Sequence, residues 1–171
     1  MSAPTGLAAY SIGGVTIHRL LMLPIEHGSA AKYQKLSPDS LSTLRHTLQG
    51  LKLLIIDEIS MVSSLLLTYI HLRLCEISGI QQLFGGFNIL VLGDLLQLPP
   101  VKGHSPFVPL KAEEIRNHLD SVGAIDLWTT FDYDELTVNV RQSSDLQYAS
   151  VFSNLRAEIH LSRTSSCLRH D

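Results

Sequence analysis

Charged residues are scarce in this 171-residue chain, at 17%, and neither sign prevails: Lys and Arg number 13, Asp and Glu 16, for a formal charge of −3. No basic excess signals binding to a polyanion or an anionic membrane by bulk charge, so any nucleic-acid contact has to come from local geometry. Cysteine is nearly absent. Cys75 and Cys167 are too few for a disulfide framework and lack metal-ligand spacing, which favours a reducing compartment, cytosol or nucleus, over secretion. The opening stretch from Met1 to His18 has no Asp, Glu, Lys or Arg, yet it carries Gly6, Gly13, Gly14 and several polar residues and no basic leader, so it reads as neither signal peptide nor membrane span. A Gly-x-Ser-x-Gly elbow is missing, and with it any support for serine-hydrolase chemistry. No internal repeat or low-complexity tract is visible.

What is present is an ordinary globular balance, 45% hydrophobic, in a length suited to one domain with a fragment of another. Two unbroken apolar runs end abruptly in acids: Leu51 to Ile56 before Asp57-Glu58, and Phe87 to Leu92 before Gly93-Asp94. Runs of this kind suit strands of a parallel sheet buried on both faces. Between them, Leu66, Ile70, Leu74 and Ile77 recur at helical spacing, and Gly79 is a natural stop. Strand, helix and strand make a βαβ unit, whose ligands gather beyond the carboxyl ends of the strands, where Asp57, Glu58 and Asp94 fall. Ser37-Pro38-Asp39 starts a surface helix to about Leu48, Lys111 to Leu119 reads as a helix, and Asp134 to Val140 as a strand leading to Arg141-Gln142. Arg156 to Asp171 has no apolar periodicity and reads as a tail.

Three segments carry chemistry. Asp57-Glu58 at a strand end has the form of a Walker B element: the first acid holds Mg²⁺ through water, and the second orients or deprotonates an attacking water. The plainer reading is a solvated acidic turn. In Gly93-Asp94-Leu95-Leu96-Gln97-Leu98-Pro99-Pro100-Val101, the glycine permits a tight turn and the prolines stiffen a loop that presents the Gln97 amide; an ordinary proline-bearing loop is the alternative. Pro4-Thr5-Gly6-Leu7-Ala8-Ala9 and Gly13-Gly14-Val15-Thr16-Ile17-His18 form a small-residue strip whose exposed N–H groups suit a phosphodiester chain, or simply a glycine-containing turn. His71 and Cys75, four apart on a helix, are two candidate metal ligands without a second pair, so a buried His beside a buried thiol is the better reading.

In this order the segments resemble motifs Ia, II, III and IV of the Pif-type, RecD-like DNA helicases of superfamily one, which include the helitron helicases. The resemblance covers about Ser2 to Arg156 and includes Phe84-Gly85-Gly86-Phe87 ahead of the third block and Arg141-Gln142 in the fourth. It implies an α/β chain with a partial RecA-like parallel sheet flanked by helices: residues 1–130 from the first RecA-like domain, 131–156 beginning the second, and 157–171 matching poorly. It also implies ATP and Mg²⁺ as cofactors, single-stranded and duplex DNA as partners, and 5′-to-3′ unwinding in repair, recombination or telomere maintenance. The nucleus is the implied compartment, with the mitochondrion as the alternative and no membrane role. By that likeness Asp57 holds Mg²⁺, Glu58 activates water, Gln97 couples nucleotide state to DNA, Arg141 is the arginine finger, and Thr5, Gly6 and His18 lie along DNA.

The pattern departs from the family at two points: most of the second RecA-like domain, which the resemblance places after Arg156, is not matched, and the P-loop is missing. The phosphate-binding P-loop, Gly-x-x-Gly-x-Gly-Lys-Ser/Thr, occurs nowhere in the sequence. The expectation is therefore an internal piece of a helicase without the P-loop strand, poorly soluble or marginally stable alone. Two other readings stay open: a chain that binds single-stranded DNA without ATPase activity, or a decayed transposon-derived remnant. A different nucleotide hydrolase fits the Gln97-Leu98-Pro99-Pro100 loop less well.

Overall fold

A computed structural model describes residues 1–24, 32–101, 103–119 and 125–137. The chain divides into two compact units, Met1–Thr130 and Phe131–Asp171. In the first, the elements run β1 (Ser2–Ala3), α1 (Gly6–Ser11), β2 (Val15–Thr16), α2 (Ile17–Leu20), α3 (Pro38–Thr47), β3 (Leu53–Ile56), α4 (Ser64–Ser78), β4 (Asn88–Val91) and α5 (Ala112–His118). The four strands form one parallel sheet in the order β2-β1-β3-β4. The unit is α/β, with β3, α4 and β4 making the βαβ crossover that the sequence predicts.

The apolar runs fold as expected but are covered less completely. Side by side in register are Leu54 with Ile89 and Ile56 with Val91. Leu54 and Ile56 are buried and their β4 partners half-buried. On the other face Leu53 and Leu90 stay 46% and 43% exposed, with Leu92 beyond them at 40%. A continuous apolar run can serve two covered faces, yet the described residues cover only one. The expectation of burial on both faces therefore fails for β3 and β4, whereas β1, with Ser2 and Ala3 both buried, meets it.

The spine of the unit is α4. Ser63 accepts the Leu66 N–H at 3.1 Å as its N-cap, and Gly79 ends it. Ile70, Leu74 and Ile77 of the predicted stripe are buried, Leu66 is half-buried, and Leu65, Leu67, Thr68, His71, Arg73 and Cys75 are buried as well. A helix enclosed around most of its circumference needs partners for its polar side chains. His71 finds one in the turn before β4: its Nδ1 accepts the Phe84 N–H at 2.9 Å, and the two rings meet edge to face with centroids 5.6 Å apart. Cys75 donates to the Gln82 carbonyl at 3.2 Å. The pair is thus a buried imidazole beside a buried thiol, both engaged by the Gln82–Phe84 turn. That turn reaches so close that a Cβ on Gly85 would strike the Leu74 carbonyl oxygen and the Ser78 hydroxyl.

Helix α3 does more than coat the surface. Leu44 is buried, and Arg45 donates from Nε to the Ile77 carbonyl at 2.8 Å and from Nη2 to the Glu76 carbonyl at 3.0 Å, satisfying groups that the end of α4 leaves open. In the second unit, residues 134–137 are irregular where a strand is expected; the Asp134 carboxylate accepts the Glu135 N–H at 2.9 Å, a local bond that competes with a ladder. The rest of that strand, Arg141 and the tail lie outside the described residues. Among the described residues no helix is long and apolar enough to cross a membrane.

Two outcomes follow from this packing. Because Leu53, Leu90 and Leu92 leave an apolar face open beside the outer strand β4, the isolated chain will self-associate, and Leu90→Lys will shift it toward monomer in sedimentation velocity. Burial also holds the His71 imidazole below its usual value of 6.5. As pH falls below 6.5 the unfolded chain takes up a proton that the folded one resists, so stability is full above 6.5 and declines as pH drops toward the folded value. A melting series from pH 7.5 to 5 will show that decline, and His71→Asn, which keeps an acceptor for Phe84 without a titrating ring, will flatten part of it.

Candidate active site

The neighbouring strands β1, β3 and β4 deliver their carboxyl ends to one edge through a ladder of backbone bonds. Asp57 donates its N–H to the Ser2 carbonyl at 2.9 Å, joining β3 to β1, and Leu92 donates to the Ile56 carbonyl at 2.8 Å, joining β4 to β3. The chain past β3 then turns sharply. Glu58 takes a left-handed conformation (φ 54°, ψ 47°), Asp57 Oδ1 accepts the Glu58 N–H at 2.9 Å, and Ile59 donates back across to the Leu92 carbonyl at 2.9 Å. A non-glycine residue there costs on the order of 1 kcal/mol, and such strain gathers at functional sites. Gly93 leaves room for the turn: its φ is 148°, and a Cβ would lie 2.8 Å from the Ile59 nitrogen.

The loop after β4 is organised by Asp94. Its Oδ1 accepts the Leu96 N–H at 3.0 Å, its carbonyl accepts the Gln97 N–H at 2.9 Å, and its Oδ2 lies 3.4 Å from the donating Gln97 Nε2. Gln97 is exposed, and Pro100 is buried. Further on, Gly103 presses against Ser63, and the His104 carbonyl accepts the Ser64 N–H at 3.1 Å, tying the loop to the first turn of α4.

Thr5 and Gly6 sit at the carboxyl end of β1, the strand next to β3. The Thr5 hydroxyl accepts the Ala8 N–H at 3.3 Å, so it caps α1, while Gly6, Leu7 and Tyr10 are exposed. His18 follows β2 on α2, half-buried. Asp57, Glu58, Asp94 and Gln97 thus share the ends of two paired strands, with Thr5 and Gly6 at the end of the next. Ser60, which no pattern in the sequence singles out, is 3% exposed directly behind the acids, and its hydroxyl finds no hydrogen-bond partner among the described residues.

These groups fit a water-held hard cation. Asp57 spends one carboxylate oxygen on the Glu58 N–H and keeps the other, and the Glu58 carboxylate makes no hydrogen bond or ion pair among the described residues. No group of three or more His, Cys, Asp or Glu gathers there among those residues. Mg²⁺ is commonly held by one or two carboxylates together with waters and phosphates.

Paired acids at the end of one parallel strand, with a Gly-Asp loop bearing a glutamine at the end of its neighbour, place the chain among RecA-like α/β cores. The family model of the PIF1-like helicases matches residues 1–166, and the chain belongs to that family. It is 39% identical over 101 residues to the ATP-dependent DNA helicase PIF1 of Saccharomyces cerevisiae, covering 59% of this chain and 12% of the yeast protein. It is 30% identical over 161 residues to the ATP-dependent DNA helicase Pif1 of Campylobacter jejuni, covering 89% and 32%. Among solved structures, Bacteroides Pif1 in complex with ADP-AlF3 and single-stranded DNA superposes with a TM-score of 0.63 at 30% identity, over 91% of this chain and 35% of that one. Pif1 from Candida albicans gives 0.60 at 26%, over 91% and 33%. The chain spans between 11 and 32% of the length of such curated relatives.

Since the Glu58 turn needs the space over Gly93, Gly93→Ala will destabilise the chain by about 1–3 kcal/mol. The measurement is chemical denaturation, with Gly6→Ala, where nothing lies within 4 Å of an added Cβ, as the near-neutral control.

Proposed function

We propose that this chain is the central part of an ATP-dependent DNA helicase that couples ATP hydrolysis to 5′-to-3′ movement on single-stranded DNA. The observation that carries the reading is the shared strand edge where Asp57-Glu58, the Gln97 loop and the Thr5-Gly6 turn converge. Bound ATP with Mg²⁺ supplies the phosphoryl group that water attacks. Asp57, with its free carboxylate oxygen, holds the metal through water. Glu58, clear of competing contacts, takes the proton of the attacking water, work worth about 10² to 10⁴ in rate. Gln97, oriented by Asp94, senses the terminal phosphate, and Arg141 serves as the arginine finger. Thr5, Gly6 and His18 follow the DNA strand, where exposed backbone N–H groups do the work that a basic patch would do elsewhere. Repair, recombination or telomere maintenance is the setting we assign, in the nucleus.

The missing Gly-x-x-Gly-x-Gly-Lys-Ser/Thr pattern favours a second reading, a single-stranded DNA-binding chain without ATPase activity. Sequencing the 5′ end of the transcript separates the two. If an in-frame P-loop precedes Met1, the encoded protein will hydrolyse ATP in response to DNA, and Glu58→Gln will cut turnover about 10² to 10⁴-fold while sparing nucleotide binding. Unchanged turnover in that variant removes Glu58 from the mechanism, and absence of the P-loop leaves the binding reading.

A further inference from the structure

Arg73 is the most completely buried charge among the described residues, 1% exposed in the middle of α4, and the mechanism above makes no use of it. Its Nη1 meets Glu76 Oε2 at 2.6 Å. Its Nη2 donates to the Gln34 carbonyl at 3.0 Å and the Met22 carbonyl at 3.4 Å, and the guanidinium lies 5.1 Å from the centroid of the Tyr33 ring. Glu76 in turn accepts from the Tyr33 hydroxyl at 2.9 Å and the Leu36 N–H at 2.8 Å. One fork thus ties its own helix to two segments distant in sequence, and burying it is costly unless such contacts offset the lost hydration.

The Met22 contact is the informative one. Met22 has φ 48°, between buried Leu21 and Leu23, in the turn that ends α2. Leu23 donates to the His18 carbonyl at 3.0 Å, so the turn closes directly on the residue read as a DNA contact. The Met22 carbonyl, one residue past the Leu21 C-cap and outside any helical ladder, accepts from Arg73. Nine residues earlier on the same helix, roughly 14 Å at the standard helical rise, Ser63 and Ser64 hold the loop that continues from Gln97.

We infer that Arg73 is a positioning residue: by holding the Met22 carbonyl it sets the His18 turn relative to the acid edge, so that α4 carries both the DNA-side strip and the Gln97 loop. The inference rests on the DNA-path reading above only where it concerns DNA; the positioning itself is independent of it.

The test uses the full chain in two measurements. Hydrogen exchange read by mass spectrometry will show that Arg73→Lys, which keeps the charge but loses the fork, speeds exchange across residues 17–24 roughly tenfold more than elsewhere, the factor for one lost net hydrogen bond. Ile77→Val, a packing change on the same helix, will raise exchange without favouring that stretch. Anisotropy with a labelled oligothymidine will show weaker binding by Arg73→Lys and by His18→Ala. If exchange at 17–24 rises no more than in the rest of the chain, the inference is overturned; the same holds if His18→Ala weakens binding and Arg73→Lys does not. Selective loosening of 17–24, with binding unaltered in both variants, keeps the positioning role and sinks the DNA path instead. Should Arg73→Lys fail to fold, Glu76→Gln, which weakens the hold on the guanidinium while keeping the shape, will loosen 17–24 by a smaller factor, and no selective change there overturns the inference.

Discussion

The hydrogen bond from the Ile59 N–H to the Leu92 carbonyl, made over a glycine without a Cβ, is the constraint on which the acid edge depends. It closes the ends of β3 and β4 against each other at the point where both strands stop. With the strands clamped there, Glu58 has to turn through a left-handed conformation, and its carboxylate is carried clear of the ladder. A side chain on Gly93 would separate the strand ends and release the turn. The same clamp sets where Asp94 begins its loop, and so where the Gln97 amide stands.

Behind that edge the molecule is organised around one helix rather than around the sheet. The strands are only two to four residues long, whereas α4 is enclosed by the Phe84-Gly85 turn, α3, and the segments bound to Arg73 and Glu76. Its polar groups are used to attach neighbours of irregular backbone: His71 holds one N–H, Glu76 another, and Arg73 two carbonyls. Irregular chain carries backbone groups that no ladder satisfies, and buried side-chain donors and acceptors are the means of satisfying them inside a core. This explains why a helix in the interior of an α/β unit retains an arginine, a glutamate and a histidine where leucines would pack as well.

Much of the site is legible in the chain's own apolar patterning. The acids are announced by the apolar runs that end on them, since a buried strand that stops at two carboxylates has to emerge from the core there, and the helix between the runs announces itself by its spacing and by Gly79. Less legible is the coverage of the sheet. A run such as Leu53 to Ile56 looks the same whether one face or two are covered, because the covering layer is not encoded in the run. Residues 134–137 depart from the expected strand for a related reason: alternating character favours a strand, but the Asp134 side chain satisfies the backbone locally.

Arg73 shows the boundary most clearly. In the sequence it is one basic residue on a helix, and a surface position is the natural assignment. Nothing in its neighbours reveals that carbonyls from Met22 and Gln34, 51 and 39 positions away, converge on it. By itself the sequence determined β3, β4, the helices α3, α4 and α5 and the acid edge, because these follow from local periodicity and from where apolar runs end; the two-residue strands β1 and β2 are too short to leave such a pattern. Only the tertiary structure decided which face of the sheet is buried, which polar residues lie inside, and that one helix holds both sides of the site, because those depend on which distant backbone groups meet, and pairing between distant segments leaves no local trace.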